Sequence, residues 1–188
     1  MQQKTELKKE LRKKILRLRD SLNVSIRKRK DEKIKASVTE FIRKMNIKSL
    51  ALYASFGSEV NTQEIFFFCK EKGIKTAFPK VVDEDLAILW VNSSDELKPG
   101  YKSILEPSIY RIASFDELDL ILVPGVAFDE RCYRIGYGGG FYDRLLKDKK
   151  VTKLGLAYEE QVVKEIPNEP FDIRVDLIIT DERIISCV

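Results

Sequence analysis

The chain contains no histidine among its 188 residues, and this absence excludes several kinds of catalysis. Ser-His-Asp and Cys-His mechanisms use an imidazole as the base, so neither is possible here. Histidine-ligated zinc is excluded as well, and three dispersed cysteines argue against a thiolate metal site. Any metal would be held by carboxylates and ligand oxygens, which favours Mg²⁺. Chemistry on phosphate groups stays open, because it depends on positioning and charge and needs no histidine.

Long apolar runs are also missing, so we expect no membrane span. The basic N-terminal stretch MQQKTELKKELRKKILRLRD has no apolar segment of the signal-peptide type, and we expect no export signal. The cysteines, Cys69, Cys132 and Cys187, are odd in number and far apart, which predicts a reducing cytoplasm and no disulfide framework. The net charge of +4 is mild and concentrated near the N-terminus, which suits a small polyanion as well as nucleic acid.

The hydrophobic content of 44% is enough for one sizeable core. We predict a single domain over residues 1–188 with a basic helical segment at about 1–45. Apolar residues at helical spacing predict a helix over residues 5–21, and a second helix is expected from Ser25, its N-cap, to about Met45. A third predicted helix, residues 61–73, opens on a capping pattern and closes on a glycine.

Six apolar runs predict strands at residues 49–55, 75–82, 86–91, 118–124, 153–158 and 175–180. Strands that alternate with helices indicate an α/β three-layer sandwich around a largely parallel sheet. Residues 92–117 are polar and are expected to be irregular. Ligands bind beyond the carboxyl ends of parallel strands, so we expect Glu59, the glycines of residues 136–140 and Asp181 at one crevice edge.

Four of the nine glycines fall within residues 136–140, in the stretch RIGYGGGFYDR. Glycine permits positive φ and removes the Cβ, so backbone N–H groups can approach a ligand closely. A helix-like segment follows, which is typical of an anion cradle, although a tight, closely packed turn is the alternative. Arg134 offers a fork for phosphate oxygens and Asp143 a carboxylate for Mg²⁺. Their alternatives are a surface ion pair and complementation of the helix dipole.

Other charged positions have two interpretations each. Lys8 and Arg12 are one turn apart on the first helix, where they form either a polyphosphate clamp or an ordinary solvated face. Glu59, just past a strand, can accept hydrogen bonds from a heterocycle or simply precede a helix. Asp176 opens an apolar strand and needs a partner there, which can be a metal or Arg174.

Together these segments resemble the 5-formyltetrahydrofolate cyclo-ligase family over nearly the whole chain. Residues 124–144, PGVAFDERCYRIGYGGGFYDR, are similar to the family hallmark PGxxFDxxGxRLGYGxGYYDR. Cys132 stands where that pattern has glycine, from which we expect a different turn. The shorter motifs K-x-x-L-R, E-x-x-T, E-P and D-x-x-x-D appear in the family's order, at residues 8–12, 59–62, 106–107 and 172–176.

The resemblance implies an isomerase/CoA-transferase-like fold and an ATP-dependent reaction. N5-formyltetrahydrofolate would close to 5,10-methenyltetrahydrofolate, with release of ADP and phosphate and with Mg²⁺ beside the ATP. ATP would phosphorylate the formyl oxygen, N10 would attack the activated carbon, and phosphate would leave. We expect a cytoplasmic monomer that acts on these two small molecules and binds neither nucleic acid nor membrane.

The resemblance also implies roles for individual residues. Arg134 and Tyr142 would be catalytic, and Asp143 and Asp176 would hold Mg²⁺, with Asp172 as the alternative to Asp176. The folate substrate would contact Glu59, Tyr137, Gly138, Gly139, Gly140 and Phe141. The ATP site would consist of Lys8, Lys9, Glu10, Leu11, Arg12, Arg134, Ile135, Gly136, Tyr137, Gly138, Gly139, Gly140, Phe141 and Tyr142.

Two other classes of protein stay open on the residues alone. A nucleic-acid-binding protein would use the basic N-terminal helices and show steep salt dependence, but no recognised motif supports it. A sugar-phosphate isomerase or CoA-transferase of similar fold would need no ATP. ATP-dependent turnover therefore separates the cyclo-ligase from that second alternative.

Overall fold

The computed structural model describes residues 2–187, which contain four α-helices and twelve strands. The helices are α1 Gln2–Ser21, α2 Val24–Lys44, α3 Gln63–Glu71 and α4 Phe141–Leu146. The strands are β1 Ser49–Ala51, β2 Lys75–Val82, β3 Asp85–Val91, β4 Leu97–Pro99, β5 Leu105–Pro107, β6 Leu120–Val123, β7 Ala127–Asp129, β8 Arg134–Ile135, β9 Thr152–Leu156, β10 Val162–Val163, β11 Leu177–Ile179 and β12 Ile184–Ser186. The predicted single domain includes Met1 and Val188, which lie outside the described residues, and stays a prediction.

Seven strands form the central sheet, in the order β12-β11-β9-β6-β1-β2-β3. The neighbours from β11 to β2 all pair in parallel, and the edge strands β12 and β3 pair antiparallel. The predicted mixed α/β fold with a mostly parallel sheet is therefore confirmed. No helix within residues 2–187 is both long and apolar enough to cross a membrane.

The two faces of this sheet bury separate hydrophobic clusters, because successive strand residues point to opposite faces. On one face, Leu50, Leu122 and Leu154 pack with residues of α2 and α3. On the other, Ile121 and Val123 pack with Leu146 of α4 and with loop residues. A third cluster joins Ile15 of α1 to β7 and β8, which seats the first helix beside residues 134–135.

Two small sheets occur in segments that the sequence does not mark as strands. The β4–β5 hairpin lies within residues 92–117, which were expected to be irregular. In the other small sheet, β10-β7-β8, strands β7 and β8 precede the glycine run and β10 follows it. These strands are two or three residues long, and β4 and β5 each end in proline, so they carry no readable period. Both small sheets border the cavity described below.

The start of α2 differs from the prediction. Asn23 is the N-cap, since its side chain accepts a hydrogen bond of 2.8 Å from the backbone N–H of Ser25. Ser25, the predicted cap, is thus inside the helix. Both residue types favour this position, so the sequence alone does not choose between them.

The expectation of no disulfide is wrong for this structure, because Cys132 and Cys187 are joined across 55 positions. The turn between β7 and β8 lies beside the sheet edge, where the N–H of Val175 donates to the carbonyl of Cys132. Spacing along the chain cannot reveal such a juxtaposition. Cys132 has a φ of 63°, the left-handed conformation that glycine adopts readily, so this cysteine takes a backbone geometry suited to the family's glycine. Cys69 is a buried free thiol.

Candidate active site

A cavity of about 1090 Å³ lies between α1, the segment after β1, the β4–β5 hairpin and residues 136–140. Its wall includes Lys8, Glu59, Arg134 and Asp143, which are four of the residues predicted to be functional. A second cleft of about 710 Å³ lies at the amino-terminal ends of β1 and β2 and contains none of the predicted site residues. We therefore take the first cavity as the candidate active site.

Residues 136–140, here called the glycine loop, line this cavity and lead into α4. Gly138 and Gly140 have φ values of 105° and 66°, which L side chains rarely adopt. Arg12 of α1 holds the start of the loop by donating from Nε to the carbonyl oxygen of Gly136 over 2.7 Å. Within residues 2–187 no backbone N–H of the loop donates a hydrogen bond. These amides are available to an anionic ligand.

Arg134 provides a buried cation beside the loop. Its side chain is only 3% exposed, and Nη2 donates to Asp143 Oδ1 over 3.0 Å. Its Nε is buried and has no hydrogen-bond partner in the described part of the chain. A buried donor without a partner is costly, so this atom is well placed for a ligand oxygen.

Lys8 lies on the same cavity wall, with its Nζ 3.5 Å from Glu169 and in direct contact with Asp172. The predicted neighbours of Lys8 do not share this position. Lys9 and Glu10 are exposed, and Leu11 packs against the apolar cluster under α1. The structure therefore brings only Lys8 and Arg12 of this motif to the cavity and the loop.

The aspartates predicted to hold metal are not brought together. Asp143 lines the cavity, where its Oδ1 also accepts from the N–H of Ile173 over 3.2 Å. Asp176 lies just before β11 and does not line the cavity. Its carboxylate accepts a hydrogen bond of 2.7 Å from the N–H of Lys153. Asp172 does line the cavity. The pairing of Asp143 with Asp176 thus has no geometric support, because the strand start faces away from the carboxyl-end crevice.

Asp181 follows the carboxyl end of β11, at the expected edge of the sheet, but it does not line the cavity, and it accepts a hydrogen bond of 2.6 Å from Lys30. Across the described residues no cluster of three His, Cys, Asp or Glu side chains has metal-binding geometry. Mg²⁺ takes only one or two carboxylates, with waters and phosphate oxygens. Asp143 fits that requirement, because both of its hydrogen bonds use Oδ1. Asp172 is the nearer candidate for a second carboxylate.

Glu59 also lines the cavity and is only 8% exposed. It accepts a hydrogen bond of 3.1 Å from the N–H of Phe56. Burial raises the pKa of its carboxyl, and the hydrogen bonds from Phe56 and Tyr137 and the charge of Arg19 offset this only in part. Tyr142 also lines the cavity, and burial raises the pKa of its phenol. Its hydroxyl stays protonated at neutral pH and can donate a hydrogen bond.

Aromatic side chains flank the glycine loop on both sides. The rings of Phe56 and Tyr137 lie 5.1 Å apart, and those of Tyr101 and Phe141 lie 6.2 Å apart. Tyr101 comes from the stretch predicted to be irregular, and sequence reasoning did not select it. The aromatic walls suit a planar ligand.

Sequence reasoning also missed Arg19, which donates to the hydroxyl of Tyr137 over 2.9 Å. A signal was present, because Arg19 follows Arg12 by seven residues, or two helical turns, and so shares its helix face. The basic run around it conceals this signal among exposed lysines and arginines.

A family model for the 5-formyltetrahydrofolate cyclo-ligase family matches residues 4–181. The chain belongs to this family. Its motifs of residues 8–12, 59–62 and 124–144 border the cavity just described.

Individual relatives agree with this assignment. The 5-formyltetrahydrofolate cyclo-ligase of Mycoplasma pneumoniae is 33% identical over 179 residues, which cover 93% of this chain and 99% of that protein. The Mycoplasma genitalium protein of the same name is 34% identical and covers 92% of this chain and 96% of its own. The solved structure of Aquifex aeolicus 5,10-methenyltetrahydrofolate synthetase superposes with a TM-score of 0.88, at 36% identity over 96% of this chain and 93% of that one.

Proposed function

We propose that the cavity is the active site at which this cyclo-ligase closes N5-formyltetrahydrofolate to 5,10-methenyltetrahydrofolate, with ATP converted to ADP and phosphate. The observation that carries the assignment is the pairing of opposite chemistries in one cavity. Its wall includes the buried Arg134, with its unpartnered Nε, and the free amides of the glycine loop. It also includes the buried acceptor Glu59, near the aromatic side chains of Phe56 and Tyr137.

ATP would occupy the cationic end. Its phosphates would meet Lys8 of α1, the side chain of Arg134 and the N–H groups of the glycine loop. Arg12 supports this site by holding Gly136, and its own positive charge adds to the local potential. Charge-assisted contacts of this kind are the main way in which proteins stabilise a transferring phosphoryl group.

The folate would occupy the end formed by Glu59, with its ring between the aromatic walls. A carboxylate accepts hydrogen bonds from the amino and ring N–H groups of a pterin, and burial strengthens each such bond. The glycine loop contacts both ends of the cavity, since Tyr137 borders Phe56 while Gly136 borders Arg12. The loop therefore brings the formyl oxygen and the γ-phosphate together.

In the proposed reaction the formyl oxygen of the substrate attacks the γ-phosphate, and ADP leaves. N10 then attacks the formyl carbon, the N10 proton is lost, and the carbon–oxygen bond breaks with release of phosphate. Arg134 stabilises negative charge on the phosphoryl oxygens, and the protonated hydroxyl of Tyr142 can donate to the same region. Both residues are therefore proposed as catalytic.

Mg²⁺ is proposed as the ion that accompanies ATP, with Asp143 as its protein ligand and Asp172 as the second carboxylate. When bound, the ion would neutralise charge on the phosphate oxygens. Arg134 and Ile173 both donate to Oδ1 of Asp143 and so fix its orientation. Its other oxygen, Oδ2, is then the one proposed to bind the ion. Asp176 has no part in this proposal.

Arg134→Met tests the phosphoryl site. Loss of a charge-assisted contact costs about 1.5–3 kcal/mol, so kcat should fall about ten- to a hundredfold. Arg29→Met, which removes an exposed arginine on α2, should leave kcat unchanged and serves as the control. Equal kcat for Arg134→Met and wild type would contradict the assignment of Arg134. Wild-type protein that never turns over would contradict the function itself.

Family membership favours the cyclo-ligase over the isomerase, CoA-transferase and nucleic-acid-binding alternatives. The three-layer, isomerase/CoA-transferase-like architecture stays a prediction at that finer level. A monomeric state, a cytoplasmic location and the absence of nucleic-acid binding also stay predictions.

A further inference from the structure

Arg19 is a buried arginine that the proposed reaction does not use. It lies on α1 and is only 3% exposed. Its Nε donates to Ser58 Oγ and its Nη2 to the hydroxyl of Tyr137, each over 2.9 Å. No carboxylate within residues 2–187 lies within 4.0 Å of it as a salt-bridge partner. Its charge instead interacts at longer range with the carboxylate of Glu59, which lines the cavity, so the position of Arg19 points to a role at the site.

The two partners of Arg19 belong to different segments: Ser58 is next to the cavity residue Glu59, and Tyr137 is part of the glycine loop. Ser58 directly precedes Glu59, and its hydroxyl also contacts Asp20. Tyr137 is the aromatic residue of the glycine loop. The residue is 43% exposed, and its ring lies 5.1 Å from the ring of Phe56, while Arg19 donates to its hydroxyl. The planar fork of one guanidinium thus links the folate end to the loop that borders ATP.

We propose that Arg19 is a positioning residue. By bonding both Ser58 and the hydroxyl of Tyr137, it fixes the glycine loop relative to the segment after β1 that carries Glu59. The inference rests on the proposed function, because it assigns Arg19 to the alignment of the two substrates. It also explains why the loop keeps one anchored aromatic among its glycines. Without Arg19, the hydroxyl of Tyr137 keeps its hydrogen bond to Glu59 but loses its link to α1 and Ser58, and the formyl oxygen and γ-phosphate are aligned in fewer of the bound complexes.

A double-mutant cycle tests this coupling. Arg19→Met should lower kcat/KM for N5-formyltetrahydrofolate about tenfold, the effect of one charge-assisted contact. In a Tyr137→Phe background the same change should cost less than about threefold, because the linked hydroxyl is already gone. Arg17→Met, which removes an exposed arginine from the same helix, should have no effect in either background.

Arg19→Lys provides the second variant. Lysine keeps the charge but cannot span Ser58 and Tyr137 with a rigid fork, so kcat/KM should fall with no change in the thermal unfolding midpoint. This variant replaces Arg19→Met in the cycle if the latter does not fold. Equal losses in both Tyr137 backgrounds, or Arg19→Lys with wild-type kcat/KM, would overturn the coupling. Wild-type protein without turnover would instead defeat the proposed function.

Discussion

Arg12 makes the residue-scale contact that most directly joins α1 to the glycine loop. Its Nε bonds Gly136, and its charge lies beside the amides proposed to hold phosphate. Burial lowers the pKa of the Arg12 guanidinium from its ordinary value, yet it stays charged at neutral pH. Arg12→Ala should raise the KM for ATP about ten- to a hundredfold, corresponding to about 1.5–3 kcal/mol.

Lys13→Ala is the matched control for Arg12, because it removes an exposed cation next to it on α1. Steady-state kinetics at saturating folate measures both variants. An ATP KM that shifts equally in the two would restore the interpretation of this helix face as merely solvated.

Glu59 makes the folate site sensitive to pH. Only the ionised carboxylate accepts hydrogen bonds through both oxygens and carries a negative charge, and burial raises its pKa. The KM for N5-formyltetrahydrofolate should therefore be constant at high pH and rise as pH falls through this raised pKa. Glu59→Gln should show a higher KM and no such acid limb. The charged and titratable groups that face Glu59 are Arg19, Tyr53, Tyr137 and Tyr142.

A pH profile of kcat/KM for wild type and Glu59→Gln provides the measurement. The tyrosines that face Glu59 have raised pKa values and do not titrate in the acidic range, so they cannot produce this limb. An acid limb that persists unchanged in Glu59→Gln would show that another group is responsible.

A Mg²⁺ titration of turnover can distinguish the roles of Asp143, Asp172 and Asp176. Asp143→Asn should need more Mg²⁺ for half-maximal rate, with partial rescue at excess metal, and Asp172→Asn should respond in the same direction. Asp176→Asn should keep the wild-type response, because its carboxylate bonds Lys153 outside the cavity. A shifted response in Asp176→Asn alone would contradict the geometry.

Residue-scale prediction from the sequence depended on local context. Lys8, Arg12, Glu59 and Arg134 stand in short motifs or beside glycines, and all four lie at the cavity or the loop. Asp176 does not, because sequence gives the order of charges near a strand but not which end of that strand reaches the site. Arg19 was missed because its role comes from contacts with residues 58 and 137, far along the chain.

At the scale of elements, the Cys132–Cys187 disulfide ties the β7–β8 turn to the end of the chain. A crosslink that closes a loop of this length typically contributes about 2–4 kcal/mol by restricting the unfolded chain. A reducing agent should lower the free energy of unfolding of wild type by about that amount. Cys187→Ser should show the same loss and no further response to reductant.

Cys69→Ser is the control for the disulfide, since Cys69 is buried, and burial raises its thiol pKa to about 12. This variant should keep its sensitivity to reductant, whatever its own stability. The free energy of unfolding is measured by denaturant titration, with and without reductant, for wild type, Cys187→Ser and Cys69→Ser. Wild type with identical curves in both conditions would contradict a crosslink in solution.

The longer elements were predictable, and the shorter ones were not. The helices α1 to α3 and six of the seven strands of the central sheet carry clear apolar patterns, so their existence follows from the sequence. The seventh, the three-residue edge strand β12, was not predicted. The β4–β5 hairpin and the β10-β7-β8 sheet depend on pairing between distant short segments. Because these small sheets complete the cavity wall, the shape of the site could not be predicted even where its residues could.

At the scale of the whole molecule, the mostly parallel sheet supports the Glu59 segment, and the third apolar cluster seats α1 beside the β8 strand that leads into the glycine loop. The residues proposed to bind phosphate and those proposed to bind folate line one cavity, so both ligands are proposed to react there. Neither ligand alone should give product.

The most direct test is the growth of absorbance at the methenyltetrahydrofolate band after purified protein is mixed with N5-formyltetrahydrofolate, ATP and Mg²⁺. The absorbance should grow with all components present and should not grow when ATP is omitted or EDTA is added, and one phosphate should be released for each methenyl product. Growth at the same rate without ATP, or none with all components present, would contradict this proposal.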